Sequence, residues 1–224
     1  MNNGKKSVDM RLYLNFESVK RSVVYKLINT EKNGELLEDI LHMDFLDLSI
    51  VFQCLVSEDE LGMASMLVHN VHLRLWDVTV EELYKAAREN TPKLMPHTIK
   101  SMAEVLLEIE ESENPEGFDR DEHMEEYADK VPMYVLSNEK RVEGAACMLY
   151  HNLIRNFSDI TGSSLYIIPS SVHELLLLPT KDTEEKEEIR SMIKEVNDMQ
   201  VSGDEILSYT LYYYDREAGK ICMV

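Results

Sequence analysis

The sequence predicts an α+β fold: a largely antiparallel sheet built from hairpins, with helices packed on it. Three observations carry that prediction. Short apolar runs come in adjacent pairs joined by tight polar turns, as antiparallel hairpins require. Stretches with apolar residues at helical spacing stand before, between and after those pairs. Strands do not alternate one for one with helices, as a doubly wound parallel sheet would demand.

Residues 1–10 read as a flexible tail. From Phe16, the positions Phe16, Val19, Val23, Val24, Leu27 and Ile28 fall on one helical face, so a helix is expected up to Asn29. A short second helix is expected over residues 35–41. Residues 46–56 alternate and then become continuously apolar, which predicts a strand buried on both faces in its second half. Residues 62–68 return as its hairpin partner. Asn70 is placed to cap a short helix over 71–76. Thr79 followed by Glu82 is a capping-box pattern that opens a helix ending near Asn90, before Pro92. Residues 97–111 carry Met102, Val105, Leu106 and Ile109 on one helical face.

Residues 104–129 hold twelve acidic side chains and one arginine, so 112–130 is expected to be an acidic loop or linker. Beyond it, 131–136 and 144–150 are predicted as a hairpin, with Asn152 capping a helix that closes near Gly162. Strands follow at 165–168, ended by Pro169, and at 175–178, with a helical turn over 171–174. An amphipathic helix at 183–199 turns Ile189, Met192, Ile193 and Val196 inward. Residues 206–214 and 220–223 make a last hairpin.

Residues 62–70 and 144–152 match at six of nine positions, including His69/His151 and Asn70/Asn152. This predicts that the halves 11–111 and 131–224 each hold one hairpin–helix unit, an internal duplication within one compact domain.

The 224 residues carry 42 acidic against 23 basic side chains, a net charge of −19. That sign argues against binding nucleic-acid phosphate or an anionic membrane, and it admits a basic protein partner. Cys54, Cys147 and Cys222 lie far apart, each beside apolar residues, and no CxxC occurs. Buried free thiols in a reducing compartment are expected. With no secretory leader and no long apolar run, the expected location is cytoplasmic.

The strings Pro-Met-Tyr-Val-Leu-Ser-Asn at 132–138, Gly-Ala-Ala-Cys-Met-Leu-Tyr at 144–150 and Tyr-Ile-Ile-Pro-Ser-Ser-Val-His-Glu at 166–174 carry a resemblance. So do residues 27–31, 44–49 and 89–92. They resemble a family of uncharacterised proteins from anaerobic, gut-type Gram-positive bacteria, grouped as a domain of unknown function. The resemblance spans nearly the whole chain and implies a single family-wide unit; it implies no activity and no catalytic residue.

Among reactive patterns, Ser170, Ser171, His173 and Glu174 could supply a nucleophile and its base, though without a Gly-x-Ser-x-Gly elbow. The structural alternative is that Ser171 and Glu174 cap a turn. His69 and His151 could converge on a metal or an acid–base site if the two units pack symmetrically. Asp119, Asp121, His123, Glu125 and Glu126 could hold a divalent cation, but they lack EF-hand spacing. Phosphate-binding loops and zinc patterns are missing, so no cofactor is expected. These readings favour a non-enzymatic interaction or regulatory protein with a basic partner. The alternatives are a serine hydrolase and an acidic decoy that imitates nucleic acid.

Overall fold

In the computed structural model, which describes residues 13–59, 62–113, 120, 133–182 and 186–224, the first apolar run is mainly strand. Only Phe16–Val19 is helical (α1); Val23–Asn29 is strand β1. The expected helix fails because Val23, Val24 and Tyr25 are all buried, which needs apolar contact on both faces at consecutive positions. A helix with one apolar stripe cannot provide that, and β-branched Val23 and Val24 favour the extended chain.

The chain divides into two compact units, Met1–Phe45 with Ser49–Leu94, and Leu46–Leu48 with Met95–Val224. In the first unit, α2 (Gly34–Leu37), β2 (His42–Phe45), β3 (Leu48–Asp59) and β4 (Gly62–Leu67) follow β1. The four strands form one sheet with β3 between β1 and β2; β4 pairs antiparallel with the second half of β3. The two-sided burial of β3 expected in the second half of 46–56 is present over residues 51–54, and it starts earlier than expected, at Leu48. Its buried polar groups are satisfied: Ser49 Oγ meets Thr30 Oγ1 at 2.9 Å, and Gln53 Oε1 accepts from Ser65 Oγ at 2.8 Å.

Helix α3 (Asn70–Trp76) and helix α4 (Val80–Leu94) complete this unit. The position before α3 is held by His69, with Asn70 as the first helical residue. The Thr79 box forms as predicted: Thr79 N–H donates to Glu82 Oε2 at 2.9 Å, and Glu82 N–H to Thr79 Oγ1 at 3.2 Å. The helix does not stop before Pro92. Asn90 Nδ2 donates to the Lys20 and Val23 carbonyls, and Thr91 Oγ1 accepts the Tyr25 N–H while donating to the Ala87 carbonyl. Those bonds dock the last turns on β1 and offset part of what the proline costs by its missing N–H and its ring's approach to the carbonyl one turn back.

In the second unit, β5 (His97–Ser101) precedes α5 (Met102–Glu113), so the expected 97–111 helix begins five residues late. Its start is an unforeseen capping box: Ser101 N–H donates to Glu104 Oε2 at 2.7 Å and Glu104 N–H to Ser101 Oγ at 3.2 Å. Next come β6 (Tyr134–Asn138), a 3-10 segment (Gly144–Leu149), α6 (Leu153–Thr161), β7 (Leu165–Ser171), β8 (Glu174–Pro179), α7 (Lys186–Gln200), β9 (Tyr212–Asp215) and β10 (Lys220–Met223). The six-stranded sheet runs β10-β9-β7-β8-β6-β5, and every neighbouring pair is antiparallel. Ile189 and Ile193 of α7 pack with Tyr166 and Ile168 of β7.

Four expectations here are corrected. Residues 144–149 are a 3-10 turn where a return strand was expected, so the second copy of the repeat has a different structure from β4, and the duplication is not confirmed. Gly144 through Met148 are all buried, and the Gly144 backbone lies tight against Ser137 and His173. Strand β7 runs through Pro169 because the register slips between Ile168 and Ser171, and an irregular step leaves room for a residue without an N–H. Residues 171–174 accordingly close a β-hairpin and form no helical turn. Cys54 and Cys147 are buried free thiols, but Cys222 is exposed on β10. Among the described residues no helix is long and apolar enough to cross a membrane.

Candidate functional site

The β7–β8 turn brings Ser170, Ser171, His173 and Glu174 together without joining a serine to the imidazole. Ser171 Oγ accepts the backbone N–H of His173 at 3.0 Å, and Ser170 Oγ reaches Glu174 Oε1 only at 3.5 Å. The His173 ring is engaged at both nitrogens. Nδ1 accepts the Glu143 N–H at 3.1 Å, and Nε2 faces Glu205 Oε1 at 3.4 Å. In the neutral ring that pattern puts the proton on Nε2, toward a carboxylate, and leaves no lone pair to take a proton from serine. Chemically, the turn works as a clasp: it holds Glu143 N–H, and the His173 carbonyl accepts from Ser137 Oγ at 2.7 Å.

His69 and His151 fall in different units, and each has local partners. His69 Nδ1 lies 2.7 Å from Asp39 Oδ2, and its backbone N–H donates to His72 Nδ1 at 2.9 Å. The His72 ring stacks on Trp76, with centroids 4.9 Å apart and planes 14° from parallel. Burial and the neighbouring His69 hold the His72 pKa below its usual value, against an opposing pull from Asp39. His72 is thus a neutral acceptor at the start of α3, and Trp76 sits one turn on. His151 Nε2 meets Asn152 Nδ2 at 3.1 Å; Asn152 takes a left-handed backbone at φ 58° and makes no side-chain cap to α6.

Asp119, Asp121 and His123 lie outside the described residues, as do Glu125 and Glu126. Among the described residues, no group of three or more His, Cys, Asp or Glu side chains is arranged to hold a metal ion.

Two arrangements escaped the sequence reading. In the second unit, Asp47 accepts three hydroxyls: Ser208 Oγ at 2.5 Å, Thr210 Oγ1 at 2.9 Å and Tyr212 O–H at 2.6 Å. Burial and that carboxylate push the Tyr212 hydroxyl pKa up. The alternation Ser208, Thr210, Tyr212 is a readable signal of one shared face; nothing local names Asp47 as its acceptor.

The other arrangement is a groove of about 560 Å³ in the first unit. One wall is a stripe of α4, Glu82, Lys85, Ala86 and Glu89, at the spacing of a single helical face. Phe16 and Trp76 form the floor, both nearly buried, with ring centroids 5.9 Å apart. The indole N–H is already committed to the Tyr13 carbonyl at 2.8 Å. Glu17 and Lys20 of α1 and Asp77 at the end of α3 line the rim. Lys20 Nζ stands 5.6 Å over the Phe16 ring and 3.2 Å from Glu17 Oε1. The bonds from Thr79 hold the Glu82 carboxyl below the usual range, so it is a firm anion. The i, i+3, i+4, i+7 stripe on α4 and the single tryptophan are its signals in the sequence.

Fold and surface together define an α+β protein with a recessed, acid-rimmed helical face and a histidine turn committed to its own backbone. Over residues 1–216 the chain matches a family of unknown function, DUF5688, and it belongs to that family. Comparison with curated proteins and with solved structures finds no match.

Proposed function

We propose that this is a cytoplasmic protein-interaction module, without catalysis of its own, that engages a basic protein partner. The observation that supports this reading most is the sign and distribution of charge. Residues 46–48 and 95–224 hold 28 acidic against 12 basic side chains, and the rest of the chain 14 against 11. Such a field draws in cations and repels nucleic acid and anionic lipid. The hydrogen bonding of His173 supports the same side of the choice, since a ring engaged at both nitrogens is a poor general base. Buried Cys54 and Cys147, with pKa values raised to about 12 by desolvation, suit a reducing compartment.

The test is binding of a lysine- and arginine-rich peptide and of an uncharged peptide of equal length. Both are titrated by calorimetry at salt concentrations where the Debye length is about 30 Å and about 8 Å. Binding of the basic peptide alone, weakened at the higher salt, is expected. Failure to bind at either salt, together with ester hydrolysis that His173→Ala abolishes, would establish the hydrolase instead.

A further inference from the structure

We propose, independently of the partner reading above, that His173 is a pH-sensitive latch on the loop 139–143: the neutral ring holds the peptide between Val142 and Glu143, and protonation of Nδ1 releases it. That one peptide group is gripped from two sides. Its carbonyl, on Val142, accepts from Asn138 Nδ2 at 2.7 Å, and its N–H, on Glu143, donates to His173 Nδ1 at 3.1 Å. Asn138 is buried at the end of β6, and His173 comes from the β7–β8 turn, so two elements converge on it. The loop depends on these anchors. Arg141 and Glu143 both take a left-handed backbone, at φ 53° and 54°. Neither is glycine, and that conformation is costly for a residue with a Cβ, so the loop stores strain that its anchors offset.

Protonation opposes one anchor only. A neutral imidazole accepts at Nδ1, whereas the imidazolium carries donors at both nitrogens and would turn an N–H toward the Glu143 N–H. The backbone under the ring is fixed. The His173 N–H donates to Ser171 Oγ at 3.0 Å, and its carbonyl accepts from Ser137 Oγ at 2.7 Å. Next to it, the Val172 N–H donates to the Glu205 carbonyl and the Val172 carbonyl accepts the Ala145 N–H. The strained side of the contact is therefore the side that yields. The other nitrogen favours the change: Nε2 faces Glu205 Oε1 at 3.4 Å, so the charged ring gains an ion pair as it gives up Glu143. The remaining charged groups on the elements that meet there are Glu174 at the start of β8, and Glu139, Lys140, Arg141 and Glu143 in the loop. Arg141 is already paired with Glu108 at 2.9 Å. Histidine is the side chain whose charge ordinarily changes between about pH 5 and pH 8, so both states of the latch are reached without denaturing extremes of pH.

Amide hydrogen exchange resolved by NMR tests this on the full chain between about pH 8 and about pH 5, with the His173 ring followed in the same samples. Protection is corrected for the intrinsic pH dependence of exchange. The Glu143 amide should lose about fivefold of its protection as the ring charges, the change that one hydrogen bond brings. The Lys140 amide donates to Asn138 Oδ1 at 3.0 Å, an acceptor that does not titrate, so it should keep its protection and serve as the internal control. In His173→Gln, whose side-chain oxygen accepts without titrating, Glu143 protection should not change with pH. Constant Glu143 protection in the wild type while the ring titrates would overturn the latch. So would an equal loss at Lys140, which would report general opening of the loop, or the same pH response in His173→Gln. Comparison of the two wild-type amides keeps the test decisive should His173→Gln disturb folding.

Discussion

At the scale of single residues, Gly144 and His72 make the sharpest demands. A Cβ built on Gly144 would stand 2.2 Å from Ser137 Oγ, 2.3 Å from the His173 carbonyl oxygen and 2.9 Å from Asn138 N. Two of those atoms are backbone, and the third is held by its bond to His173, so the clash cannot be relieved by a rotamer change. Gly144→Ala should therefore cost about 3 kcal/mol, the upper end of overpacking effects. Gly34→Ala, at the open first position of α2 with nothing within 4 Å, should gain about 0.5 kcal/mol. Urea unfolding of both variants checks the pair; similar small effects would contradict the tight approach. His72 accepts the His69 N–H through Nδ1, so protonation destroys that bond. Its folded pKa lies below the ordinary 6.5, so the unfolded chain binds the proton more readily. The His72 contribution is then full above about pH 6.5 and is lost as the pH falls below it. Wild-type stability should drop more steeply from pH 7 to pH 5 than that of His72→Gln. Emission from Trp76, stacked on the imidazole, should fall with the same midpoint, and a midpoint above 6.5 would refute the neutral cap.

At the scale of elements, the reciprocal bonds of Thr79 and Glu82 define the start of α4, the helix that walls the groove. Thr79→Ala should cost about 1 kcal/mol in chemical unfolding, and the double variant Thr79→Ala/Glu82→Ala should cost less than the two single losses added together. Additive losses would show that the box acts as two separate contacts. Because the Glu82 pKa is lowered, this support is present above the ordinary carboxylate pKa of 4.5 and is lost as pH falls through the lowered value. That box was legible because its four residues are contiguous, and so was the β3–β4 hairpin, where two apolar runs flank one polar turn. Strand β1 was not. Val23, Val24, Leu27 and Ile28 satisfy helical spacing, and only packing against α4 and β3 decides for the strand. The repeat misled for the same reason. Residues 62–67 extend because β3 offers them a ladder, whereas 144–149 coil where Ser137 and His173 close in. The groove was half legible: α4 shows its stripe, but Phe16 reaches it only through the fold. In the Asp47 cluster only the donors' alternation was legible; the acceptor needed the fold, since it lies more than 160 positions from them.

At the scale of the whole molecule, the excess of carboxylates sets how stability responds to salt. The ion pairs Lys20–Glu17, Arg190–Glu187 and Arg216–Asp159 are solvent-exposed. Such pairs contribute little, so screening them forfeits little. Repulsion is the larger quantity. Helix α5 ends in Glu110, Glu111 and Glu113, and neither α5 nor α7 carries a basic residue in its last turn. Acidic side chains there oppose the negative end of the helix dipole as well as one another. Added salt should relieve these terms, which lie in the unit holding 28 of the 42 acidic residues. Raising the ionic strength from 0.01 M to 0.15 M shortens the screening length from about 30 Å to about 8 Å. The thermal midpoint followed by circular dichroism should then rise by about 2–4 °C, the shift that relief of about 1 kcal/mol brings in a chain of this size. The same addition weakens attraction to a basic partner, so salt should stabilise the free protein while it loosens the complex. A midpoint that fell with salt would mean that attractive pairs outweigh repulsion, and the acidic surface would then have to be explained as an internal network instead of a field open to a partner.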